Sequence, residues 1–198
     1  MRTAVAIIIA SVVSVSGAAA QATGFPSFNA PYRAFSDHEA GFAVSFPGLD
    51  DVAVEGLYRF GRGKFDIGFR GGVWFIDKAA RSDEIVALGV EARQRILTHS
   101  DDFPADGALI IGAGIQVGAI DNFISSIGVS FGRRVDIEDS DVSIIPYVQP
   151  NLWWFIGDTD DVLFSLGLGA DFRLSPRFDL RVSVGVGDID GLSVGAVW

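Results

Sequence analysis

Val162-Leu163-Phe164-Ser165-Leu166-Gly167-Leu168-Gly169-Ala170-Asp171-Phe172-Arg173-Leu174-Ser175-Pro176-Arg177-Phe178-Asp179-Leu180-Arg181-Val182-Ser183-Val184-Gly185-Val186 is the stretch on which the reading of the chain turns. Val162, Phe164, Leu166, Leu168 and Phe172 are bulky and apolar, and the residues between them, Ser165, Gly167, Gly169, Asp171 and Arg173, are small or charged. After Ser175-Pro176-Arg177 the alternation resumes with Phe178, Leu180, Val182, Val184 and Val186. A period of two marks a β-strand, and a Ser-Pro group marks a turn, so the stretch is a hairpin with one apolar face. Keeping apolar residues together pairs Leu174 with Phe178 and Phe172 with Leu180. Arg173 then stands opposite Asp179, and Asp171 opposite Arg181, opposite signs of the kind that cross-strand neighbours favour.

The same pattern extends in both directions. Turn groups divide the chain into about ten strands, 39–46, 52–60, 64–76, 84–97, 107–118, 122–134, 142–156, 161–174, 178–187 and 191–198. Phe65, Ile67, Phe69, Val73, Phe75, Val86, Leu88 and Val90 continue the apolar face. Asp66, Gly68, Arg70, Glu91, Arg93, Arg95, Gly112, Gly114, Gln116, Ser126, Gly128 and Ser130 continue the small or charged one. A barrel of eight to ten strands has room for only a thin filling of side chains, so the bulky face points outward, into lipid. Strands of about 9–11 residues suit a tilted span. The reverse orientation sets Arg59, Arg70, Arg93, Arg134, Arg173 and Arg181 in lipid at about 2–4 kcal/mol each near the midplane. A soluble β-sandwich requires a solvated face rich in Lys, Thr and Glu, whereas this one is Gly, Ser and Arg. The fold expected is all-β, a closed antiparallel up-and-down transmembrane β-barrel of about ten strands, with eight as the alternative count.

At Gly61-Arg62-Gly63-Lys64, pairing Phe60 with Phe65 sets Arg59 opposite Asp66 and Glu55 opposite Arg70. The expected lumen site is therefore a ladder of charge pairs, Glu55, Arg59, Asp66, Arg70, Asp171, Arg173, Asp179 and Arg181, that plugs the barrel. Arg93, Arg95 and Arg134 remain without partners in this reading and are candidates to line a thin pore. With both ends of the barrel in the periplasm, the turns at 61, 98–105, 136–141 and 175 lie inside, and those at 47–51, 77–83, 119–121, 157–160 and 188–191 lie outside. Tyr58, Phe60, Phe65, Phe131, Phe172, Phe178 and Trp198 then form an inner aromatic girdle. Phe46, Trp74, Phe75, Phe123, Trp153, Trp154 and Phe155 form an outer one.

The chain begins as an export signal: Arg2, an apolar run from Ala4 to Val15, and the small-residue site Ala18-Ala19-Ala20. An uncleaved anchor helix is the alternative. Three segments are expected: 1–20 as signal peptide, 21–38 as an irregular lead containing Pro26, Asn29 and Pro31, and 39–198 as the barrel. Of 198 residues 49% are hydrophobic and 20% charged, with 24 glycines, and lysine occurs only at Lys64 and Lys78. That is too few to coat a soluble surface. A net charge of -10 argues against nucleic acid. The absence of cysteine excludes disulfides and thiolate metal sites.

With its signal peptide, the glycine-studded Phe164–Phe172 strand, the Ser175–Arg181 hairpin and the closing Leu192-Ser193-Val194-Gly195-Ala196-Val197-Trp198, the chain resembles the OmpA/OmpX-type family of small outer-membrane β-barrels. The resemblance implies an exported outer-membrane protein. It also implies contact with lipid and lipopolysaccharide, and a terminal aromatic, Trp198, read by the barrel-assembly machinery. A monomer is the state expected. The chain departs from the family at Ala196, where a bulky residue is usual, in its strand count where eight is usual, and in lacking a following peptidoglycan-binding domain.

Some outer-membrane barrels are enzymes, including lipid A-modifying ones. Thr98-His99-Ser100-Asp101 holds the residue types of a triad, but sequence neighbours point apart, and the segment reads as a solvated loop. His38-Glu39 reads likewise. The carboxylates of 158–161 and 188–190 have the chemistry for Ca²⁺ or Mg²⁺, although Asp-rich turns account for them. Gly112-Ala113-Gly114 and Gly167-Leu168-Gly169 precede no helix and are not phosphate loops. No catalytic residue, cofactor or metal is therefore expected. The function expected is structural, in envelope integrity, with a narrow passive channel for ions or small solutes as the alternative and a lipid A-modifying enzyme behind both.

Overall fold

A computed structural model describes residues 23–78, 81–101 and 103–198. The expected signal peptide lies outside them, as do the first two residues of the expected lead. Ten long strands form the wall: β1 (His38–Pro47), β2 (Val52–Arg62), β3 (Phe65–Lys78), β4 (Arg81–Leu97), β5 (Asp106–Gly118), β6 (Asn122–Gly132), β8 (Ser143–Gly157), β9 (Asp161–Ser175), β10 (Phe178–Gly187) and β11 (Gly191–Val197). β7 (Val135–Asp136) is a two-residue remnant between β6 and β8. Each long strand pairs antiparallel with the long strands before and after it, β6 with β8 across the remnant, and β1 pairs with β11, so the ring closes and no long strand is left with a free edge. This is a closed ten-stranded barrel, two strands above the eight-strand alternative.

β6 and β7 are one strand broken by proline. The register Gly132↔Tyr147 continues unchanged into Val135↔Ile144, but the step between them places Arg133 beside Pro146. Proline has no N–H for the ladder, and the expected strand 122–134 ends two residues early. The ladder also lapses between Gly128↔Asn151 and Phe131↔Val148, the step that contains Pro150.

Phe42, Phe69, Leu88, Val162, Phe164, Leu168 and Val186 are exposed on the outer surface, and the alternate positions are buried within. An outer wall of this composition belongs in hydrocarbon, as in transmembrane barrels. Trp198 ends the chain inside the ladder: it exchanges both backbone hydrogen bonds with Ala40, and its ring packs edge-on against Phe42.

Register at the two expected hairpins has different outcomes. Asp179↔Arg173 and Arg181↔Asp171 pair as expected, although Phe178 opposes Ser175 rather than Leu174 because a bulge falls between Phe178 and Asp179. At the β2–β3 hairpin the expected register is off by two. Arg62 pairs with Phe65, so Arg59 stands opposite Gly68 and Glu55 opposite Gly72. The loop is the two-residue Gly63-Lys64, with Gly63 at the positive φ of 61° that a tight hairpin turn uses. A shift of two keeps every side chain on its face, so the inside–outside assignment is unaffected.

The aromatic girdles also need correction. Trp153-Trp154-Phe155 are consecutive strand residues and must alternate, so Trp154 faces out while Trp153 and Phe155 are buried inside with Ile124 and Ile189. Trp74 points inward as well, its indole N–H donating to Asp51 at 3.1 Å and its ring edge-on to Phe25.

Candidate functional site

The lumen is the site, and it is filled twice over. Its first filling is an ion-pair network across six strands. Arg181 lies 3.3 Å from Asp171 and 3.1 Å from Glu39; Glu39 lies 3.3 Å from Arg59; Arg59 lies 2.5 Å from Asp66 and pairs with Glu91. Glu91 continues to Arg70 at 3.5 Å, Arg70 to Glu55 at 2.6 Å, and Arg93 to Asp66 at 3.1 Å. Arg173 pairs with Asp179 at the side. All eight expected lumen residues are therefore in ion pairs. The network has three further members that the sequence reading did not place in it, Glu39, Glu91 and Arg93. Glu39, expected in solvent, is fully buried between Arg59 and Arg181 and accepts the Ala34 backbone N–H at 2.8 Å. Arg93, expected to be unpaired, has Asp66 as partner and donates to the Ala30 carbonyl at 2.6 Å.

Glycines let these pairs form despite the shifted register. A Cβ at Gly68 would meet the Arg59 guanidinium at 2.9–3.0 Å, and one at Gly72 would meet Glu55 at 2.8 Å. With hydrogen in those places, Arg59 reaches diagonally to Asp66, and Glu55 to Arg70, where direct opposition is absent. Arg173 and Asp179 are direct neighbours with the carboxylate fully buried, so removing one partner strands the other. Arg173→Ala is expected to lose about 3 kcal/mol of unfolding free energy, and Arg173→Ala with Asp179→Ala about 1 kcal/mol less than that. Simple additivity in that cycle, read by urea unfolding in lipid vesicles, removes the pair.

The second filling is the chain's own lead. Residues 23–35, expected to be irregular but given no location, run through the lumen from the mouth that holds His38 and Trp198 to the far mouth. Thr23, Phe25, Ser27, Phe28, Asn29, Ala30 and Ala34 are all buried. Irregular backbone at membrane depth needs protein partners for its polar groups, and lumen side chains supply them. Gln116 Nε2 donates to Thr23 O (3.0 Å), Ser183 Oγ to Pro26 O (3.1 Å), Tyr147 Oη to Phe28 O (2.9 Å) and Ser130 Oγ to Asn29 O (2.7 Å). Asn29 N–H donates to Gln149 Oε1 at 2.8 Å, and Arg70 Nη2 to Asn29 Oδ1 at 2.8 Å. Ser27 and Thr23 both donate to Glu55, joining the two fillings. Phe28 packs with Ala30, Ile145 and Tyr147, and Phe25 with Ala53 and Ala87.

Cavities remain at both mouths, about 550 Å³ at the mouth that holds His38 and Trp198 and about 310 Å³ at the far one, with a gap of about 20 Å³ beside the plug at mid-depth. The carboxylates at the far mouth accept turn N–H groups: Asp158 from Asp121, Asp188 from Phe164 and Asp121 from Gly118. His99 and Ser100 are exposed, with the His99 N–H donating to Asp106, and His38 is exposed and stacked on Tyr58.

No protein-family model matches the chain, and neither does any curated protein. Solved structures similar to it include the following two. One is a de novo designed transmembrane β-barrel, 15% identical, with a TM-score of 0.42, covering 83% of this chain and 95% of that one. The other is the β domain of the Bordetella autotransporter BrkA, 14% identical, with a TM-score of 0.48, covering 81% and 96%. At these identities the likeness concerns fold alone.

Proposed function

We propose that this chain is an outer-membrane β-barrel closed by its own N-terminal segment, with a structural role in the envelope rather than a transport or catalytic one. The observation that carries the reading is the continuous course of 23–35 through the lumen, hydrogen-bonded to the wall at successive levels. The apolar outer wall supports residence in lipid. Asymmetric membranes would surround it with lipid and lipopolysaccharide, and Trp198 is the group offered to the assembly machinery. Its kinship with OmpA/OmpX-type barrels is at the level of a small, filled barrel. A monomer is the state proposed, because the ring of strands closes on itself.

Conductance in planar bilayers tests closure. The chain starting at Gln21 is expected to give no steady current steps, and a variant lacking 21–35 is expected to give small ones, because the ion-pair network alone leaves the Gly- and Ser-lined side of the lumen open. Steady steps from the intact chain would replace this reading with the narrow channel.

A further inference from the structure

The mouth that holds His38 and Trp198 has a charge opposite to that of the whole chain. Its cavity of about 550 Å³ is lined by Arg33, Lys64, Arg95, Arg134 and Arg173 against only Asp66 and Asp106. A chain of net charge -10 with 15 Lys and Arg thus gathers five of them in one pocket. Of the acids, Asp66 is held by Arg59 and Arg93, and Asp106 accepts the His99 N–H. Arg173 is spent on Asp179. Among the described residues Arg33, Lys64, Arg95 and Arg134 have no carboxylate partner. Arg33 donates only to the carbonyls of Phe35, Ser36 and Phe65, and Lys64 only to Thr98 Oγ1.

Two of these cations are held in place. The Arg95 and Arg134 guanidinium carbons lie 5.4 and 5.7 Å from the Tyr32 ring centroid, within cation–π range. The Arg95 backbone N–H bonds the Lys64 carbonyl at 2.8 Å, tying both residues to one edge of the pocket. Tyr32 Oη and Arg95 Nε are buried donors with no hydrogen-bond partner among the described residues. Leaving such donors unmatched is costly, and both belong to residues that line the same cavity.

We propose that this vestibule binds a compact, multiply charged phosphoryl anion free in the aqueous compartment, held by the Arg95 and Arg134 guanidinium groups, which rest on the Tyr32 ring, and by Lys64. Guanidinium forks match phosphoryl oxygens two at a time. Lys64 and Arg134 are exposed at the rim of the mouth, and Arg95 continues the lumen face of Glu91 and Arg93, so a ligand from the aqueous phase has direct access. The proposal rests on the lead's course through the lumen, which sets Tyr32 and Arg33 in the pocket; the conductance measurement tests that course separately from pyrophosphate binding.

The test is calorimetric titration of inorganic pyrophosphate into the folded chain in dodecyl maltoside at low ionic strength. Saturable one-to-one binding is expected. It should weaken about tenfold in Arg95→Gln/Arg134→Gln, the loss of one strong charge-assisted contact or more. It should be unchanged in Arg62→Gln, an exposed rim residue outside the pocket. Folding of each variant is read by heat-modifiable gel migration. Should the double variant not fold, Lys64→Gln, at an exposed turn position, is expected to weaken binding about threefold. Absence of saturable binding, or equal affinity in the folded pocket variants, overturns the site. Displacement of pyrophosphate by phosphatidylglycerol in mixed micelles overturns the soluble ligand.

Discussion

Arg59→Ala is expected to cost the folded barrel about 3–5 kcal/mol, the range for breaking a buried ion pair from one side. The Arg59 side chain is 3% exposed and touches three carboxylates, Glu39, Asp66 and Glu91, which are themselves almost wholly buried. Removing it leaves Asp66 with Arg93, Glu39 with Arg181, and Glu91 with a long contact to Arg70. The shortage of positive charge therefore falls mainly on Glu91. Water entering the gap lowers the penalty but meets a lumen already occupied by the lead. Arg59→Ala combined with Glu91→Ala is accordingly expected to recover about 1–2 kcal/mol of the loss, a coupling typical of residues in one network. Arg62→Ala, three residues on and exposed, should stay within about 0.5 kcal/mol of the parent. Urea unfolding of vesicle-inserted protein measures all three. A loss under about 1 kcal/mol for Arg59→Ala would mean that the network is solvated and contributes as little as a surface pair.

Strand positions and the inside–outside assignment were legible because both rest on a period of two interrupted by turn residues, and that signal is local. Register was legible only where side chains carried it. Around Ser175-Pro176-Arg177 each charge stands directly opposite its partner, so pairing charges also pairs strands. Between β2 and β3 the residues opposite Arg59 and Glu55 are Gly68 and Gly72, which contribute no side chain to read. The charges there pair diagonally, and matching them head-on misplaces the strands by two while naming the correct ion pairs. Trp153 and Phe155 were misassigned for a different reason: the alternation rule already sent them inward, and the expectation of a girdle was placed above it.

The plug was hidden because it has no period of its own. Residues 23–35 are neither strand nor helix, and their partners, Glu55, Arg70, Gln116, Ser130, Gln149 and Ser183, lie far away in sequence. One indirect signal was present. The lumen faces of β5, β6 and β9 carry Gly112, Gly114, Gly128, Gly167 and Gly169, with Ala108, Ser126, Ser130 and Ser165 among the levels between them. Ten strands enclose more space than such residues fill. An unfilled lumen beside a charge ladder on β1–β4, β9 and β10 implied a guest, and the lead with its Phe25, Phe28 and Tyr32 was the available one. Glu39 followed the same logic, since its burial depends on Ala34 and Arg181, which no local pattern brings near it.

Steric eviction of that guest is the second large effect expected. Gly167 faces the lumen where the Phe28 ring lies, and any side chain at that position would overlap the ring. β9 cannot retreat, because Gly167 is locked between Gln149 of β8 and Gly185 of β10 in two backbone ladders. The lead is held by side-chain hydrogen bonds and a few apolar contacts, so it is the part that gives way. Cysteine is absent from the chain, and Ala30→Cys therefore places a single thiol at a buried plug position without a background signal. Labelling of that thiol by a soluble maleimide is expected to be slow in the otherwise unchanged chain and to accelerate about 100-fold or more when Gly167→Val is added, as protection moves toward that of a locally opened segment. Heat-modifiable migration should survive, because the strand ring does not depend on Phe28. Gly56→Val, at an outward glycine with nothing closer than 3.9 Å to an added Cβ, should leave the labelling rate unchanged. Rapid labelling with Gly167 intact, or equal rates with and without Gly167→Val, would show that the lead does not occupy the lumen in solution. The small mid-depth gap of about 20 Å³ would then no longer describe the resting barrel.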